Sequence, residues 1–268
     1  MIVMADRLYL SLWYPNFRLE TLPSALAAVL HQFAMIGGKR VAAATAYPIS
    51  FTEPPAYQRV YPAEQRTPPL DSFSPVNPDP ESTIRQIDDA VAEATEQLHD
   101  DMAYEFEMRW QLWTPDDREP AYNRFGLASA RDASDPESDD EEDSQPDADS
   151  GASSSSHGWR PRTHTVRVLG FGPRFDVAGY EQNGQLLIDF GIDTPWIPDP
   201  VHPAPSLAAL AECGLEDTAQ IHIQQNVEKL LAFTLLIEKN CGISSRLLWT
   251  ESGEPLAEKL IARLQRVH

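Results

Sequence analysis

Twenty-five residues from Asp132 to Ser156 read DASDPESDDEEDSQPDADSGASSSS, and they limit what the rest of the chain can fold into. The stretch holds ten acidic residues, no basic residue and no large apolar one. Such a composition buries too little apolar surface to offset the entropy of ordering it. Long stretches of this kind are uncommon inside compact domains unless they are functional or disordered. The sequence therefore predicts a disordered acidic insert or linker over 115–162, between a first part at 1–114 and a second at 163–268. The pattern is compatible with two domains joined by the insert and with one continuous domain from which it protrudes.

The insert also dominates the charge. The chain carries 41 Asp and Glu against 21 Lys and Arg, a net charge of −20, and the insert supplies half of it. The remainder, with 31 acidic and 21 basic residues, is still acidic. Nucleic-acid binding rests mainly on Lys and Arg neutralising phosphates, and docking on anionic lipid rests on the same residues, so both are disfavoured. The start, MIVMADRLYLSLWY, lacks the basic beginning and continuous apolar stretch of a secretory signal. The longest apolar run, Leu230 to Ile237, falls far short of the roughly 20 residues a membrane span needs. The two cysteines, Cys213 and Cys241, form no CxxC motif and read as buried thiols in a reducing compartment. A cytoplasmic protein is expected.

Apolar spacing gives the elements. Leu8, Leu10, Leu12 and Tyr14 alternate as in a half-buried strand. Thr21 and Pro23 then open a helix whose Leu22, Leu26, Val29, Leu30 and Phe33 share one face until Gly37 and Gly38. Arg40 to Thr52 reads as a strand, with Pro48 implying an edge or bulge, and Tyr57 to Tyr61 as a short partner. Asp79 and Pro80 open a second helix with Ile84, Ile87, Val91, Ala94 and Leu98 inward. From Ala103 to Trp113, Tyr104, Phe106, Met108, Trp110 and Leu112 alternate with polar residues, the clearest strand pattern in the chain. The order βαββαβ is that of a ferredoxin-like α+β part, an antiparallel sheet with helices on one face.

Beyond the insert, Thr163 to Phe171 reads as a strand, and the segments flanking Asn183-Gly184 read as a hairpin. These predict a three-stranded meander up to Phe190. A proline-rich connection carrying Trp196 and His202 follows. A helix over Ile223–Lys239, with Val227, Leu230, Leu231 and Ile237 inward, a strand over Ser245–Thr250 and a helix over Pro255–Gln265 complete a βββαβα part.

Chemistry-bearing motifs are mostly excluded. Asp189-Phe190-Gly191 spells the metal-binding triplet of protein kinases without the glycine-rich loop, strand lysine or catalytic loop that give it meaning. No P-loop, dinucleotide fingerprint, HExxH or GxSxG occurs. Asp176, Asp189, Asp193 and His222 are the residue types of an acid–base pair or metal site, although their spacing matches no ligand set and ordinary loop and strand-end roles account for them. Trp113 and Trp196 fall outside core stripes and are candidate binding anchors, as is Trp159 at the end of the insert. Asp139, Asp140, Glu141, Glu142 and Asp143 are candidate contacts for a basic partner. The sequence thus favours a non-catalytic protein-binding module, an adaptor, inhibitor or immunity-like protein, with no cofactor and no metal. The alternative is a hydrolase or metal-assisted enzyme built on the Asp/His set.

Overall fold

The computed structural model describes residues 6–36, 40–49, 53–61, 80–115, 159–197 and 215–253, with Leu256 and Glu258. In chain order the strands are β1 (Arg7–Trp13), β2 (Val41–Pro48), β3 (Tyr57–Val60), β4 (Met102–Pro115), β5 (Trp159–Phe171), β6 (Leu186–Ile192) and β7 (Ser245–Thr250). The helices are α1 (Leu22–Met35), α2 (Pro80–Ala94), α3 (Val177–Asn183) and α4 (Leu215–Asn240). The seven strands form one antiparallel sheet in the order β3-β2-β4-β5-β6-β1-β7. The protein is therefore α+β.

Alternation along β4 places Tyr104, Phe106, Met108, Trp110 and Leu112 in the core, with Glu105, Glu107, Arg109 and Gln111 on the other face. Helices α1, α2 and α4 pack on the buried face. Their contribution centres on Trp110, whose ring lies 5.2 Å from Phe33 on α1, 5.9 Å from Phe190 on β6 and 6.2 Å from Phe233 on α4. Phe33 meets Phe233 edge-on at 5.3 Å, a favoured aromatic geometry. Strands from both sides of the acidic segment share this sheet and this core. Among the described residues, no helix is long and apolar enough to cross a membrane.

Several expectations change. Among the described residues up to Pro115 the elements follow one another as β, α, β, β, α, β, but β1 pairs with β6 and β7 on its two sides and with no described strand of its own half. The ferredoxin-like pairing is therefore absent: a strand's apolar pattern fixes which face is buried and not which neighbour it takes. The expected meander is also broken. After β5 the chain turns at Phe175, which stacks on Phe171 and meets Tyr47 edge-on, and then forms α3 instead of a strand. Asn183-Gly184 ends that helix, with Gly184 at φ +86°. The dipeptide supplies a left-handed residue here as a helix stop rather than as a hairpin turn. Among the described residues the C-terminal part runs strand, helix, strand, helix, strand through residue 250.

Two helix stripes are rotated from expectation. In α2 Thr83 joins Ile87, Ala90, Val91 and Ala94 in the interior and Ile84 faces out, while in α4 Leu230, Phe233 and Ile237 point inward and Leu231 is half exposed. Pro48 ends β2 at a position paired only on the β4 side, where its missing donor costs no ladder bond to β3. The expected helix over 255–265 lies outside the described residues apart from Leu256, which is buried, and Glu258.

Gly184 gives a direct check on this part of the fold. A Cβ there would sit 2.5 Å from the Leu12 carbonyl oxygen, in a backbone conformation that L residues disfavour. Gly184→Ala is expected to lower unfolding free energy by about 2 kcal/mol or more, measured by urea denaturation. A neutral result would mean that α3 and β6 join in another way.

Candidate interaction site

The pair β4–β5 is longer than its neighbours. The β2 partnership of β4 stops at Val41↔Met108, whereas β4 and β5 stay paired to Pro115↔Trp159. Among the described residues no strand lies along one edge of β4 beyond Met108, and unsatisfied backbone groups there would carry a desolvation cost. Helix α4 covers it. Asn226, fully buried, accepts the Trp113 backbone N–H at 3.0 Å and donates to the Trp113 carbonyl at 2.8 Å, standing in for the next strand. Its amide also donates to the Pro195 carbonyl at 2.8 Å, and its backbone carbonyl accepts the Trp196 indole N–H at 3.2 Å. One turn on, the Lys229 ammonium donates to the Gln111 carbonyl at 3.0 Å, and burial pushes its pKa down.

This anchoring fixes what lies at the end of the hairpin. The Trp113 ring stacks on the His222 imidazole, with centroids 3.8 Å apart and planes 22° apart. The Trp159 ring is near-parallel to the same imidazole at 6.1 Å. All three rings are partly exposed, and Ile221 beside them is 51% exposed. The result is an aromatic platform at the point where β4 ends and β5 begins. Along β5, His164 opposite Trp110 is half-buried, and burial together with the adjacent Arg162 lowers its pKa.

The candidate residues fall into separate places. Trp113 and His222, one expected as an anchor and the other as a catalytic group, are in contact. Trp196 is no surface anchor: it is fully buried, 6.4 Å from Trp110 and 5.9 Å from Phe190, because its indole N–H finds the Asn226 carbonyl inside the core. Asp189, on the open face of β6, pairs with Arg7 and accepts the Gly191 N–H at 2.8 Å. Asp193 closes the loop after β6, exchanging backbone hydrogen bonds with Asp6, Trp196 and Ile197 and accepting the Asp6 N–H on its carboxylate. Asp176 is exposed just ahead of α3. Asp189, Asp193 and His222 thus have different partners. Among the described residues, no group of three or more His, Cys, Asp or Glu side chains is placed to hold a metal ion. Asp139, Asp140, Glu141, Glu142 and Asp143 lie outside the described residues.

Asn226 was not singled out from sequence, although a signal existed. It occupies the same helical stripe as Leu230, Phe233 and Ile237, and a lone amide on an apolar stripe needs buried partners. No protein-family model, curated protein or solved structure matches the chain.

Asn226→Asp tests the edge contact with little change of shape. The carboxylate keeps an acceptor for the Trp113 N–H but loses both amide donors, facing the Trp113 and Pro195 carbonyls with lone pairs. A loss of about 3 kcal/mol or more is expected in urea denaturation at pH 7, with hydrogen exchange at Trp113 rising more than at Leu10 in β1.

Proposed function

We propose that the chain is a non-catalytic protein-binding module that takes a basic segment of a partner protein at the Trp113–His222–Trp159 platform. The observation that carries this is the stack of Trp113 on His222, partly open to solvent, at the end of the hairpin where the acidic segment joins the sheet. The π faces of tryptophan attract Lys and Arg side chains, at about 0.5–2 kcal/mol per contact. Arg160 and Arg162 on β5 and Lys229 on α4 put positive charge near the platform itself. Attraction therefore comes from the net charge of −20, and above all from the acidic run containing Asp139 to Asp143. Such charge speeds encounter and rejects acidic competitors, while the rings supply the short-range grip. An adaptor, inhibitor or immunity-like role fits these features.

The test uses a fluorescent peptide of alternating Arg and Ser residues, titrated into the full chain and followed by anisotropy. Binding is expected to weaken as salt rises. Trp113→Ala and Trp159→Ala should each weaken it about tenfold, or 1.4 kcal/mol, and deleting 132–156 should slow association and flatten the salt dependence. Peptide binding that ignores both tryptophan changes in a folded protein would refute the platform's role.

A further inference from the structure

The sheet ends on one side at β7, and no described strand lies along the outer edge of that strand. In the β1–β7 ladder the Glu251 N–H donates to the Arg7 carbonyl at 2.9 Å. Opposed residues of an antiparallel ladder alternate between bonded and unbonded pairs, so Leu247 and Trp249 engage β1 while the backbone groups of Arg246 and Leu248 point outward. Sheet edges are usually guarded by shortness, proline, a bulge or an outward charge. The opposite edge has two such guards, since β3 is four residues long and follows Pro54 and Pro55. β7 is six residues long, contains no proline and runs in unbroken register with β1. Its one charged residue, Arg246, lies on the helix side with buried Leu12 and is held by Glu238 on α4 at 2.7 Å and 3.2 Å.

The open face beside this edge is apolar. Leu247 is 46% exposed, and the partly exposed Trp249 packs on Tyr9 with ring centroids 4.7 Å apart. The Trp249 indole N–H donates to the Ser11 hydroxyl at 2.9 Å, which fixes the ring in advance of any contact. On the helix side Leu235, 59% exposed, lies one turn before Glu238. A basic segment would find no carboxylate on β7, and an acidic one would find only Arg246, already paired. The strand does complement itself. An antiparallel copy with Leu248 on a two-fold axis sets Leu247 opposite Trp249 twice, at unbonded positions where side chains approach most closely. The same register keeps the two Arg246 side chains apart, each opposite Thr250.

We propose that β7 pairs with β7 of a second copy of this chain, giving a two-fold dimer whose sheet runs continuously through both copies. Main-chain hydrogen bonds supply the attraction and the Leu247–Trp249 contacts set the register. The net charge of −20 does not oppose it. The acidic run joins the sheet through β4 and β5, and in the dimer the two β5 strands are seven strand spacings apart, about 34 Å. That is several times the Debye length of about 8 Å at physiological ionic strength, so repulsion between the points of attachment is screened. The contact is closed, because pairing consumes both copies of β7 and leaves the guarded β3 at each end.

Sedimentation velocity on the full chain should show a monomer–dimer equilibrium that moves toward dimer as concentration rises. Hydrogen exchange locates the contact: protection of the Arg246 and Leu248 amides should rise with concentration, while that of Trp249, already bonded to β1, changes far less. Leu247→Glu should raise the dimer dissociation constant about tenfold or more, since both Leu–Trp contacts are lost. Leu248→Pro removes an outward N–H and no bond to β1, and it should abolish the dimer. If that variant fails to fold, Leu247→Glu and the exchange pattern decide. Trp113→Ala should leave dimerisation unchanged, which separates this edge from the platform. A chain that stays monomeric, a Leu248 amide equally protected at every dilution, or a dimer unaffected by Leu247→Glu would overturn the proposal.

Discussion

The ladder between β4 and β5 is the constraint on which the remaining structure depends. Thirteen register pairs, from Ala103↔Phe171 to Pro115↔Trp159, join the two halves of the chain. On the buried side they seat Trp110 between α1, β6 and α4, and non-local pairing of this kind must form before those helices have a common surface to cover. The ladder also outruns β2 on one side and β6 on the other, which creates the exposed edge that α4 must satisfy. Core and platform therefore have one origin.

The edge contact shows how a helix can take the place of a strand. Asn226 carries a donor and an acceptor with the spacing of a peptide group, and it uses both on Trp113. A solvent-exposed edge invites pairing with other chains, and a helix laid along it removes that risk. Because the same helix carries His222 one turn earlier, the residue that closes the edge also sets the height of the imidazole over the Trp113 ring.

Much of the architecture was legible in the sequence, and the failures have physical causes. The alternation in β4 and the stripes of α1 report burial directly, because each side chain's face follows from local geometry. Pairing does not, and β1 was assigned to the wrong neighbours for that reason. Asn183-Gly184 misled because a positive φ serves helix stops and hairpin turns alike. Trp196 looked exposed in its proline-rich setting, yet the aromatic cluster around Trp110 draws it inside. Only part of the site was readable. Trp113 and His222 stood out singly, but they are 109 residues apart and nothing in either local pattern announces their contact. Asn226 left a trace as the polar member of an apolar stripe.

The pairing of Pro115 with Trp159 has a consequence for how this chain can vary. The two ends of the intervening segment are held side by side by the sheet itself, whatever the segment's sequence. Closing a loop between fixed neighbours depends only weakly on its length, about 0.6 kcal/mol for each doubling. A change in the number of residues between these two positions therefore alters the closure entropy by little. The span from residue 115 to residue 159 is thus set by strand pairing and not by the number of residues that join them, so a lineage that lengthened or shortened the join would keep the same two ends in register.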